Sequence, residues 1–102
     1  MTSSKHRRLP PIHPGEVLRD VMMEGGLTAN ALAMALRVPA NRIGGIVSGQ
    51  RGITGDTALR LARYFGTSPD LWMNLQAKYD LATAEEELHE RIAREVLPRR
   101  AA

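Results

Sequence analysis

Cysteine is absent from the 102 residues, so neither disulfides nor thiolate chemistry enters the account. Aromatic residues are scarce, with one Trp, two Tyr and one Phe. A core must therefore be built from Leu, Ile, Val, Met and Ala, which suits packed helices better than sheets rich in β-branched and aromatic side chains. Lysine is confined to Lys5 and Lys78, so arginine carries nearly all the positive charge. Its planar fork suits phosphates and guanine edges. No apolar run approaches the ~18 residues that would cross a bilayer. The leading "MTSSKHRR" opens no apolar segment, so no secretory signal or membrane role is expected, and the cytoplasm is the expected location. The most informative absence is local. From Gly25 to Gly55 there is no Asp or Glu, while Arg37, Arg42 and Arg51 lie inside that window. With a net charge of +3, such a stretch is what a polyanionic partner requires.

Length allows one domain. Residues 1–12, "MTSSKHRRLPPI", read as a flexible basic arm. Pro14 and Glu16 suit the start of a first helix, whose apolar face is Val17, Leu18, Val21 and Met22 and which Gly25-Gly26 stop. Thr28 caps a second helix with Ala29, Leu32, Ala33 and Leu36 at i, i+3, i+4 and i+7. Pro39 opens a third, which turns Ile43, Ile46 and Val47 inward and which Gly49 ends. A fourth runs from about Thr54 to Phe65, closed by Gly66, and a fifth opens at Ser68-Pro69-Asp70 and carries Leu71, Trp72, Leu75 and Tyr79. The spacing of Thr83 and Glu86 predicts a capping box and a separate C-terminal helix over 82–97, with a tail over 98–102. Glu87 with Arg91 and Glu90 with Arg94 are its expected i, i+4 pairs, and Glu85 to Glu87 would favour its N-terminal dipole.

The second and third helices, with their short joint, have the particulars of a helix-turn-helix. Ala33 is small where the helices touch, Val38 follows the turn, and Ile43 and Ile46 fix the second helix on the first. In that motif the N-terminal residues of the second helix meet base edges in the major groove. Here they are Ala40, Asn41 and Arg42; Asn pairs bidentately with adenine and Arg with guanine. An ordinary helical hairpin would share the same pattern. Two adjacent glycines, Gly44 and Gly45, sit inside this helix at a cost of roughly 0.5–1 kcal/mol each relative to alanine.

The stretches "LPPIHPGEVLRD", "LTANALAMALRVPANRI" and "GQRGITGDTALRLARYFGTSPDLWMNLQAKYDL" resemble the HigA family, antitoxins with a helix-turn-helix of the lambda-repressor-like (XRE) class. The likeness covers roughly Leu9 to Leu81. It implies an all-α, lambda-repressor-like domain of about five helices over 13–81 plus the C-terminal helix. It also implies a homodimer on a palindromic operator of double-stranded DNA in its own promoter, and a partner toxin, HigB, an mRNA-cleaving ribonuclease. On this basis Asn41 and Arg42, beside Ala40, read bases; Gly45 faces the duplex with bare backbone; and Thr28, Asn30, Ser48, Gln50 and Arg51 hold phosphates. A second reading of the glycines is a helix left loose until DNA orders it. Arg37 stands where the motif usually has glycine, and Ala29 where a glutamine commonly reaches a phosphate.

Nothing else in the chain points to chemistry. His6, His13 and His89 are scattered, which suits surface or capping roles rather than a metal, and the serines have no evident base partner. No cofactor and no enzymatic activity are expected. Trp72 belongs by spacing to a core or a dimer interface rather than to a base stack. The narrow stripe Leu88, Ile92 and Val96 suits docking on the chain's own core, a second copy or a toxin, with self-association favoured because paired half-sites need a dimer. Beside the autorepressor-antitoxin reading stand an XRE regulator with no toxin and a protein-binding module that has lost DNA affinity.

Overall fold

Five helices follow one another in a computed structural model that describes residues 9–100: α1 (Pro14–Gly25), α2 (Ala29–Leu36), α3 (Ala40–Val47), α4 (Gly55–Phe65) and α5 (Pro69–Glu95). Among the described residues every regular element is a helix, and none is long and apolar enough to cross a membrane. Most of the basic arm, residues 1–8, and the last two residues of the tail lie outside the described residues.

The starts are set by local chemistry. His13 accepts from the Gly15 amide at 2.9 Å through Nδ1, and Glu16 reaches back to the His13 amide, a capping box in which histidine takes the serine role. Thr28, Thr54 and Ser68 cap α2, α4 and α5 with side-chain oxygens. Gly26 and Gly66 end α1 and α4 in the left-handed conformation. Arg37 does the same for α2 at φ 62°, ψ 44°, with no glycine to relieve its Cβ. Arg37→Gly is therefore expected to stabilise the fold by about 0.5 kcal/mol, the relief of left-handed strain exceeding glycine's added chain entropy, and a thermal melt would rise by a few degrees.

The core joins Leu18 and Met22 of α1, Leu32, Ala33 and Leu36 of α2, Ile43 and Ile46 of α3, Ile53, Ala58 and Leu61 of α4 and its approach, and Trp72 of α5. Trp72 is a core residue; its indole N–H donates to Thr67 Oγ1 at 3.0 Å and its ring lies beside Phe65. Packing density forces one contact so close that it dictates a residue. A Cβ on Gly15 would stand 1.8 Å from the Ile46 carbonyl oxygen, so α1 and α3 meet backbone to backbone there. His13, one residue before α1, packs edge-on against Tyr79 of α5, with centroids 4.8 Å apart.

The separate C-terminal helix is not found. α5 continues through residue 83, and the Thr83 hydroxyl donates to the Tyr79 carbonyl at 2.8 Å instead of capping a new start. The stretch from Tyr79 to Glu86 holds no glycine or proline, so nothing stops the turn already running when it reaches Thr83. Glu85 to Glu87 consequently sit mid-helix, away from any N-terminal dipole. Glu85 meets His89, and Arg91 pairs with Glu95 rather than with Glu87. These ion pairs are exposed and contribute little. The 27 residues of α5 span about 40 Å. Every side chain from His89 onward in α5 is exposed, so the helix projects past the body. The radius of gyration, 17.2 Å, exceeds the about 13 Å of a compact domain this size for that reason.

Candidate nucleic-acid interface

α3 starts without a side-chain cap, its Pro39 contributing only an extended backbone, and its first turn is Ala40, Asn41 and Arg42. Ile43 and Ile46 are fully buried and α3 packs against α2 and α1, so the helix is held from behind. Ala40 and Asn41 are exposed at the leading end. Arg42 is turned to one flank. Its Nη1 lies 2.6 Å from Asp56 Oδ2, and 29% of its side chain is exposed.

The glycine pair divides into two roles, and the sequence-based role of Gly45 is corrected. Past Val47 the chain folds back over α3 through Gly49 at φ 82°. The Gly45 carbonyl accepts from the Ser48 hydroxyl and from the Gln50 and Arg51 amides, at 3.1, 2.9 and 3.0 Å. A Cβ on Gly45 would lie 3.3 Å from Arg51 Cβ, with the arginine stem beyond it. Gly45 therefore makes room for the returning chain, and Arg51 covers the backbone that was expected to be bare. Gly44 has nothing within 4 Å of a Cβ and is the glycine with open space before it.

The residues expected at phosphates are exposed but differ in what they have left to give. Thr28 accepts from the Ala31 amide at 3.0 Å, which leaves its hydroxyl hydrogen for another acceptor. Asn30, Gln50 and Arg51 are exposed. The Ser48 hydroxyl already donates to Gly45, so it is an internal cap rather than a ready donor. Among the described residues no three His, Asp or Glu side chains gather as metal ligands would.

This geometry has close counterparts. The helix-turn-helix family profile matches residues 18–72. A HigA-family addiction-module antidote protein from Coxiella burnetii is 46% identical, with a TM-score of 0.83 over 89% of this chain and 100% of the other. This chain is a HigA-family helix-turn-helix protein. The Pseudomonas aeruginosa antitoxin HigA, solved with the higBA promoter, is similar at 52% identity and a TM-score of 0.84, covering 86% of this chain and 97% of that one. Virulence-associated protein I of Dichelobacter nodosus is 55% identical over 80 residues, 78% of this chain and 74% of the relative.

Two residues within the HigA-like stretch escape a reading by motif alone. Gln76 accepts from the Ile53 amide at 2.7 Å and donates to Asp80, and a Cβ on Gly52 would touch its amide group at 3.0 Å. It thereby pins the chain that carries Arg51 to α5. Its signal in sequence was a polar residue one turn from Trp72 and Tyr79 on an otherwise apolar face. Asp56 is the second. Both its oxygens lie 3.1 Å from Arg60 Nε, while Arg60 Nη1 donates to the Leu36 carbonyl at 2.9 Å. The Arg42 guanidinium, and then that of Arg60, hold the Asp56 carboxyl below the usual carboxylate range, so it is ionised at neutral pH. Its signal was being the first acid after the acid-free window.

Proposed function

We propose that the protein is a dimeric, non-enzymatic antitoxin that represses its own operon and neutralises a HigB-like mRNA-cleaving toxin in the cytoplasm. The observation that supports this reading is the exposed leading end of α3, backed by buried Ile43 and Ile46, on a segment without a carboxylate between Gly25 and Gly55. Solved relatives carry promoter or operator DNA, and this one shares their fold. Asn41 and Arg42 read base edges, Gly44 lets the duplex approach, and Thr28, Asn30, Gln50 and Arg51 contact phosphates. The Ser48 hydroxyl needs to leave Gly45 to join them, and Ala40 contributes a methyl surface. The exposed apolar side chains of α5 and its C-terminal cap, Leu81, Ile92 and Val96, supply contacts to a second copy, which sets two α3 helices at a palindrome.

The test is titration of wild type, Arg42→Ala and Arg51→Ala on a duplex from the protein's own promoter and on a scrambled duplex. Arg42→Ala is expected to cost about 1–3 kcal/mol on the promoter duplex and little on the scrambled one. Arg51→Ala is expected to weaken both alike and to reduce the salt slope by about 1. Equal losses for Arg42→Ala would remove its base-reading role. Co-expression with the product of the adjacent small gene, read as co-purification and rescued growth, decides between this reading and a regulator without a toxin.

A further inference from the structure

The acid-free window ends at a carboxylate placed beside the helix that should meet DNA. Asp56 is the second residue of α4 and is half exposed, so it stands where a phosphate polyanion would be repelled. Nothing in its own helix requires it to lean toward α3, since Arg60 Nε one turn later already bridges both oxygens. Yet Asp56 Oδ2 also takes Arg42 Nη1 at 2.6 Å, the shorter of its contacts. Arg60 in turn is tied to the end of α2 through Leu36. The carboxylate is thus braced from behind by an arginine held to the fold, and presents its remaining capacity to the one guanidinium in the first turn of α3.

From this arrangement we propose that Asp56 sets the DNA selectivity of the protein by holding Arg42 off any duplex that does not offer it a guanine in register. The inference rests on the DNA-binding reading above. A phosphate offers Arg42 an anionic acceptor that only replaces the one Asp56 already supplies at hydrogen-bonding distance, and Asp56 repels it, so on unrelated sequence the pair stays closed. Guanine O6 and N7 offer a bidentate acceptor pair, and the fork can take it with the donors that Asp56 leaves free or by exchanging partners. Asp56 is a positioning residue in this scheme: it acts through Arg42 and touches no base. Its removal would turn Arg42 into a general phosphate ligand, with one more counterion released on every sequence.

Asp56→Asn, Asp56→Ser and Glu90→Gln are compared with wild type on the promoter and scrambled duplexes across a salt series. Glu90→Gln makes the same charge change on exposed distal α5. Both Asp56 variants are expected to bind scrambled DNA about 5- to 10-fold more tightly, with a log–log salt slope steeper by about 1, and to lose a similar factor in promoter-to-scrambled ratio. In an Arg42→Ala background only the smaller gain from removing the Asp56 charge itself should remain, about 2-fold or less and equal to that of Glu90→Gln or little above it, because the group that acts is gone. Equal gains on both duplexes, equal gains for Glu90→Gln, or a gain undiminished without Arg42 would overturn the inference and leave DNA binding standing. A wild-type chain that binds neither duplex overturns the functional reading, and the inference with it. Thermal melts of the variants accompany the titrations, and the two Asp56 replacements guard against one of them misfolding.

Discussion

Gly15→Ala is expected to destabilise the protein by about 3 kcal/mol or more and to abolish promoter binding, although it adds one methyl group to a residue distant in sequence from α3. The methyl would lie 1.8 Å from the Ile46 carbonyl oxygen, 2.8 Å from its carbon and 3.1 Å from His13 Nδ1. Two of these atoms are backbone and the third caps α1, so no flexible side chain can yield. Either α1 and α3 separate, exposing Leu18 and Ile46, or α3 tilts and carries Asn41 and Arg42 with it. A loss of this size lowers Tm by more than about 12 °C in a domain of this length, read by far-ultraviolet circular dichroism. Gly44→Ala is the matched control. It adds the same methyl inside a helix but into open space, and should raise stability by about 0.5–1 kcal/mol.

Trp72→Ala is the second large loss, expected at about 3–5 kcal/mol. The side chain is 1% exposed and is the only fully buried residue of α5, so with Leu75 packed against the same core it is the main anchor of the long helix. Its removal leaves a cavity beside Phe65 and strips Thr67 Oγ1 of its donor. Against a stability of about 5–15 kcal/mol for a domain of this kind, the variant would sit near the edge of folding. Chemical denaturation should show the midpoint falling steeply. Trp72→Phe keeps most of the volume, loses the hydrogen bond to Thr67 and part of the ring, and should cost about 1–2 kcal/mol, well short of the alanine variant.

The helices with strong punctuation were legible in sequence to within a residue or two. Thr28, Thr54, Ser68-Pro69, Gly26 and Gly66 act locally, through caps and left-handed turns, and α1, α2, α4 and the start of α5 fall where those residues put them. The end of α5 was misread because a capping box is a preference that operates only where a helix is already free to begin. At Thr83 the preceding turns were intact. Within the site, Asn41 at an exposed leading end followed from periodicity, as did buried Ile43 and Ile46. What periodicity cannot supply is the path of a chain that folds back. Gly45 lies on the outward face of α3 by angle, yet Arg51 returns to cover it. Nor does a helical wheel reveal that Arg42 is claimed by an acid fourteen residues later. Both are contacts between segments, decided by the turn after Val47 and by the placement of α4.

The outer turns of α5 have a mechanical meaning. From His89 to Glu95 the helix is a cantilever, with no exposed side chain resting on the body. Its root is Trp72 and Tyr79, and Tyr79 abuts His13, which holds the first turn of α1, where Gly15 bears directly on the last turns of α3 at Ile46. A short series of contacts thus joins the root of α5 to the end of the α3 rod opposite Asn41. Whatever grips the tip pulls on a lever whose fulcrum lies beside that rod.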